Sequence, residues 1–181
     1  MPESLSVAIS VAAMWHQGQT RKDSTLPYIV HPIAVASNVR QFVQAFGSPE
    51  ENKNLEMLMK GAVLHDVVED CPGVTFDKIK SLFGSQVASL VEELTNDPAM
   101  VEEMGKTEYL KCKMHGMTSD ALLIKLCDRL DNLRDYVYAG LSPKGKAYVE
   151  STKRILVYLE KEKVLSCCQL AIIEEIKKYL Y

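Results

Sequence analysis

Apolar residues recur along this chain at three- and four-residue intervals, and strict apolar–polar alternation is hard to find. Asn-Gly and Asp-Gly hairpin signals are absent, so the pattern predicts helices and no substantial sheet. Leu5, Ile9, Ala12 and Ala13 fit a first helix after Ser4. Ile33, Val35, Ala36, Val39 and Val43 fit a second, with Pro32 near its first turn, where a missing amide costs little. Leu55 to Glu69 reads as a third helix, apolar nearly all round and therefore central. Thr75 is a predicted N-cap for Phe76 to Phe83, which Gly84 ends. Ser85 begins a helix with Val87, Leu90, Val91 and Leu94 on one face. Ser119 or Asp120 caps a long helix through Tyr138 that Gly140 closes. Ser142-Pro143 opens another to about Lys161, and a last one spans roughly Ser166 to Leu180. Residues 95–107 are predicted to be a loop feeding a helix. With no repeat, low-complexity tract or linker, the expectation is one all-α domain over residues 1–181.

Composition narrows the function classes. At 181 residues, with 47% hydrophobic and 25% charged residues, the chain can bury a substantial core and is not a disordered one. A net charge of −3 argues against an overall nucleic-acid binder but leaves room for a local basic cluster that holds a small anion. Charged residues interrupt every apolar run well before the ~18 residues a membrane span needs. Met1-Pro2-Glu3-Ser4 lacks the basic start and apolar run of a secretory signal. Five cysteines, an odd number without CxxC spacing, predict reduced thiols in a cytoplasmic protein.

The candidate chemistry begins where the third helix turns polar. His65-Asp66-Val67-Val68-Glu69-Asp70 stands at its end. At roughly 100° per residue, the four titratable side chains fall within an arc of about 140°. Unpaired carboxylates are costly to bury and repel one another unless something positive sits among them. A divalent cation meets that need. The alternative is a solvated acidic helix end, to which the helix macrodipole is opposed.

Three other segments read ambiguously from the residues alone. Asp128 shares a face with Asn132 one turn on and with Lys125 one turn back, the pattern of an amphipathic helix with its own ion pairs. His31, in Pro27-Tyr28-Ile29-Val30-His31-Pro32, suits a cap or surface position as readily as a ligand. Gly18-Gln19-Thr20-Arg21-Lys22-Asp23 is either a solvated turn or a phosphate-gripping loop, with Arg as a fork and Lys as a point charge. His16, His115 and Trp15 are expected to be structural or surface residues.

Four blocks, taken in order, resemble the HD-domain superfamily of metal-dependent phosphohydrolases and, more narrowly, the (p)ppGpp hydrolase domain of RelA/SpoT proteins and its free-standing small relatives. They are His16-Gln17-Gly18-Gln19-Thr20-Arg21-Lys22, Pro27 to Pro32, Leu64 to Asp70, and Lys125-Leu126-Cys127-Asp128-Arg129-Leu130-Asp131-Asn132-Leu133-Arg134. Weaker similarity runs through Phe83-Gly84 and Val91 to Thr95.

The resemblance implies a compact HD-domain helical bundle holding one divalent ion through His31, His65, Asp66 and Asp128, with Mn²⁺ as the ion. A mixed nitrogen and oxygen set of this kind suits manganese, iron, cobalt or zinc better than calcium. The resemblance further implies hydrolytic roles for Glu69 and Asp70, contacts from Arg21 and Lys22 to a small-molecule nucleotide, and Asn132 at its ribose-phosphate end. Ser24-Thr25-Leu26 stands where relatives often carry a Gly-containing turn. The implied reaction is removal of the 3′-diphosphate of (p)ppGpp by a degradation-only enzyme. A phosphatase acting on NADPH or another nucleotide, and a catalytically silent nucleotide sensor, are the alternatives.

Overall fold

The computed structural model describes residues 2–21 and 24–181, and side-chain caps set where many of its helices begin. Ser4 accepts a hydrogen bond from the Val7 N–H and opens α1 (Leu5–Trp15). After α2 (Val30–Phe46), Ser48 and Glu51 form a reciprocal capping box around the short α3 (Pro49–Lys53). α4 (Leu55–Leu64) and the four-residue α5 (Val67–Asp70) follow. Thr75 caps α6 (Phe76–Phe83), and Gly84, at φ +88°, turns the chain directly into α7 (Ser85–Leu94). Among the described residues the extended backbone pairs in one isolated antiparallel bridge, Thr20 with Pro27. The fold is all-α, as expected, and no described helix is long and apolar enough to cross a membrane.

Residues 95–107 depart from the expected loop. Asp97 accepts from the Ala99 and Met100 N–H groups, Pro98 takes the first helical position, and α8 (Pro98–Met104) forms. Gly105, at φ +77°, ends it and opens α9 (Lys106–Gly116). An Asp-Pro start and a Gly stop were therefore legible, but α8 buries no residue and so leaves no apolar stripe to read. α3, at five residues, is too short to show a periodicity, although Ser48-Pro49-Glu50-Glu51 spells a helix start.

Thr118, one residue ahead of the two expected candidates, caps α10 (Ser119–Tyr138) through the Ala121 N–H. α11 (Pro143–Glu162) starts from Ser142 as expected. α12 (Cys167–Lys177) starts from a Ser166–Gln169 capping box and stops three residues short of Leu180.

The chain divides into two compact units, one through Thr95 and one from Asn96 onward. In the first, α4 packs against α1, α2 and α7, and α6 packs on α7. α4 is the central helix its composition predicted: Leu58, Ala62, Val63 and Leu64 have no exposed surface. In the second, α10 packs against α11 and α12, α9 lies on α11, and α8 lies on α9. Leu122, Leu123, Leu126, Leu130 and Leu133 of α10 are fully buried, each contributing about 1.5–3 kcal/mol from its removal from water.

Candidate functional site

The expected single helix from Leu55 to Glu69 breaks at the two residues of greatest interest. α4 ends at Leu64, His65 and Asp66 form a turn, and α5 starts afresh at Val67. One local cause and its backbone consequence are visible. His65 Nδ1 reaches the Ala62 carbonyl at 2.8 Å, an oxygen that in an unbroken helix receives the Asp66 N–H. Asp66 takes φ −105° and ψ −5°, close to the sparsely populated bridge region where many active-site residues sit. The four polar groups from His65 to Asp70 thus do not share one face of one helix. His65 turns inward with 1% exposure, whereas Glu69 and Asp70 stand exposed on the last turn of α5.

His65 and Asp66 meet a third residue at the start of α2. His65 Nε2 lies 2.9 Å from Asp66 Oδ2 and His31 Nε2 lies 3.8 Å from the same oxygen. The two imidazoles pack edge to face with centroids 5.2 Å apart. The bond from His65 Nδ1 to a carbonyl makes that nitrogen the donor, so in the neutral ring the Nε2 lone pair faces the carboxylate. Two electron-rich atoms at that separation call for a proton or a cation between them. Two buried imidazoles, one with its tautomer set by a backbone carbonyl, and a carboxylate fit a first-row divalent ion.

Tyr28 completes this half of the site. Its hydroxyl donates to Asp66 Oδ2, and its ring stands edge-on to His31 with centroids 5.8 Å apart. The Arg21 guanidinium lies 5.9 Å from the same ring's centroid, and the Tyr28 N–H donates to the Gln19 carbonyl at 3.0 Å. Arg21 also donates its backbone N–H to Leu26 O at 2.9 Å. The excursion that carries Arg21 is therefore closed from both sides, and it leads directly to the tyrosine that holds Asp66. Lys22, the other expected substrate contact, lies outside the described residues.

His16, expected to be structural or surface, is buried at the end of α1 with 2% exposure. Its Nδ1 meets Gln19 Oε1 at 2.8 Å and lies 3.3 Å from Cys71 Sγ. Burial, with the neighbouring Asp70 charge, pushes the Cys71 thiol up, so it stays protonated at neutral pH. Gln19 Nε2 donates to the Asp70 carbonyl at 2.7 Å. Neither Tyr28 nor Gln19 was singled out by residue chemistry, although both lie within the quoted sequence blocks.

Asp128 sits on α10 with 6% exposure and two neighbours from its own helix. Lys125 Nζ reaches its Oδ2 at 2.9 Å. Asn132 Nδ2 donates to its Oδ1 at 2.6 Å and to its carbonyl at 3.1 Å. The helical ion pair read from the sequence is present, and Asn132 braces the same carboxylate.

An HD-domain family model matches residues 8–160. Over 129 residues the chain is 38% identical to guanosine-3′,5′-bis(diphosphate) 3′-pyrophosphohydrolase MESH1 of Mus musculus, covering 71% of this chain and 66% of that protein. Against the Danio rerio protein of the same name it is 34% identical over 153 residues, covering 84% of this chain and 76% of that one. Against the bifunctional (p)ppGpp synthase/hydrolase SpoT of Escherichia coli K12 it is 36% identical over 135 residues, 72% of this chain but 18% of that protein. The chain spans about two thirds of the mouse relative's length. Among solved structures it is similar to a metazoan ortholog of SpoT that hydrolyzes ppGpp and plays a role in starvation responses. The TM-score there is 0.76 at 28% identity, covering 100% of this chain and 99% of the other.

Proposed function

This chain belongs to the HD-domain family, and from that premise we propose that it is a metal-dependent (p)ppGpp 3′-pyrophosphohydrolase. The observation that carries the reading is the convergence of His31, His65 and Asp66, with the His65 tautomer set by Ala62 and the carboxylate held by Tyr28. His31, His65, Asp66 and Asp128 are the proposed ligands of one divalent ion, and Mn²⁺ is the proposed ion. Two imidazoles and two carboxylates leave places for water and a phosphate oxygen. When bound, the ion supplies Lewis-acid charge for activating water and for neutralising the phosphoryl oxygens. The family match, residues 8–160, extends on both sides of Thr95, which supports reading the two units as one functional domain.

The chain's own residues divide the remaining work. Glu69 and Asp70 stand exposed on α5, immediately after the ligand pair, where a substrate can reach them. One takes a proton from the attacking water as its oxygen bonds to the phosphorus attached to the ribose 3′ oxygen. The bond from that phosphorus to the 3′ oxygen breaks, and the other carboxyl supplies the proton that makes the 3′ hydroxyl. The products are GDP or GTP and pyrophosphate. Arg21 and Lys22 bind the nucleotide, Arg21 from the closed excursion beside Tyr28. Asn132 stands at the ribose-phosphate end while bracing Asp128. The five cysteines are all free thiols, which supports a cytoplasmic location.

Product analysis on a small nucleotide panel with Mn²⁺ tests this reading. Pyrophosphate from ppGpp is the expected result. Orthophosphate from NADPH with no pyrophosphate from ppGpp overturns it in favour of a phosphatase. No product from any nucleotide that nonetheless binds overturns it in favour of a sensor.

A further inference from the structure

α5 is a single turn, too short to persist by its own hydrogen bonds. Its last carbonyls lack partners within the helix, as at every helix end. One of them, Asp70 O, accepts from Gln19 Nε2 at 2.7 Å. That bond fixes the orientation of the Gln19 amide, because a carbonyl only accepts and must therefore face the NH₂. Oε1 is left facing His16 Nδ1 at 2.8 Å, and His16 is the donor of that second bond. The backbone of Gln19 is held as well: its N–H donates to His16 O at 3.0 Å and its carbonyl accepts from the Tyr28 N–H at 3.0 Å. A single residue thus ties the buried end of α1, the neck of the excursion carrying Arg21, and the turn carrying Glu69 and Asp70.

We infer that Gln19, oriented by His16, is a positioning residue that sets the hydrolytic pair on α5 against the substrate-binding excursion. This rests on the hydrolase reading above for its kinetic consequence, but the clamp itself can be read without turnover. The Gln19–Asp70 bond lies in an exposed setting, so water replaces it in Gln19→Glu, where His16 keeps its acceptor and the fold is little weakened. Gln19→Leu also strips the buried His16 of its acceptor and costs stability as well. Placement of the turn is what is lost, and a displacement of the order of 1 Å at catalytic groups costs about 10²-fold in rate. A merely structural glutamine gives the opposite pattern, with stability lost and turnover per folded molecule retained.

The test uses the full chain with Gln19→Leu, which removes both polar ends, and Gln19→Glu, which keeps the acceptor for His16 but sets a carboxylate oxygen against Asp70 O. His16→Asn, whose amide can still donate to Gln19, is the conservative control. Backbone hydrogen exchange is followed at residues 67–71, alongside bound Mn²⁺, kcat and KM for ppGpp. Both Gln19 variants are expected to keep the ion, exchange residues 67–71 about tenfold faster, and lose about 10²-fold in kcat with little change in KM. His16→Asn is expected to retain most of the parent's kcat. Unchanged exchange at 67–71, a kcat near the parent's, or loss of bound metal in both Gln19 variants overturns the inference. If the parent itself releases no pyrophosphate, the hydrolase reading fails, and the exchange measurement alone then decides the clamp.

Discussion

Asp66, in the turn just after α4, and Asp128, within α10, are both aspartates deep in a sequence block, yet they are held by opposite means. α10 runs 20 residues without a break, and Asp128 is steadied from within by Lys125 and Asn132, neighbours one turn away. α4 stops at Leu64, and Asp66 accepts from the Tyr28 hydroxyl ahead of α2 and faces the imidazoles of His31 in α2 and of adjacent His65. A carboxylate whose partners share its helix needs no distortion of the backbone. One whose partners come from a distant element must be aimed at them, and the bridge-region turn at Asp66 does the aiming.

The largest effect that can break this comparison comes from Asp66 itself. Asp66→Ala is expected to lose the ion and all turnover, because the charge shared by both imidazoles is gone. Glu69→Ala, three residues on, is expected to retain the ion and lose about 10²–10⁴-fold in kcat. Metal content and turnover on the two purified variants check the division. If Glu69→Ala loses metal as fully as Asp66→Ala, Glu69 is a ligand and the contrast between the inward turn and the exposed α5 fails.

Intermediate effects compare the two kinds of support. Tyr28→Phe removes only the hydroxyl that donates to Asp66, and Asn132→Ala removes only the amide that braces Asp128. Groups that orient a metal ligand are worth about 10–100-fold in affinity, and each variant is expected to weaken Mn²⁺ binding by that order in a competition titration. The Asn132 loss is expected to be the smaller, because Lys125 still holds Asp128 at 2.9 Å. Equal losses would mean that α10 does not steady its carboxylate locally.

The difference between the two helices also explains what was legible in the sequence. Helix periodicity, the Ser and Thr caps and the central place of α4 were readable, because they depend on residues a few positions apart. The Lys125–Asp128–Asn132 face was readable for the same reason. The break at His65 was not: Leu55 to Glu69 keeps a helical pattern, and the causes are a side chain turning back on Ala62 and partners contributed by α2 and Tyr28. The role of Gln19 is not legible in the sequence, because an uncharged amide gives no chemical signal until its two partners are known. Neither α8 nor α3 carries a periodic apolar stripe, α8 because it buries no residue and α3 because it is a single turn.

The smallest expected effect concerns an ion pair between α10 and α12. Arg134 of α10 pairs with Glu175 of α12 at 3.1 Å. The Lys178 ammonium, with help from Arg134 and against partial burial, holds the Glu175 carboxyl below its usual range. A lowered folded-state value adds stability above the ordinary carboxylate range, and that stability is lost as pH falls through the lowered value. Glu175→Gln is expected to cost less than about 1 kcal/mol near neutral pH and nothing in acid, since the pair is partly solvated. Denaturation midpoints at two pH values measure it; an equal cost at both would remove the ion pair from the account.

The central claim is that hydrolysis depends on one ion held by the site around Asp66. Titrating Mn²⁺ into the chelator-stripped chain while following pyrophosphate release from ppGpp tests it most directly. Activity is expected to be absent without metal and to saturate near about one ion per chain. Full turnover in a verified metal-free preparation would contradict it.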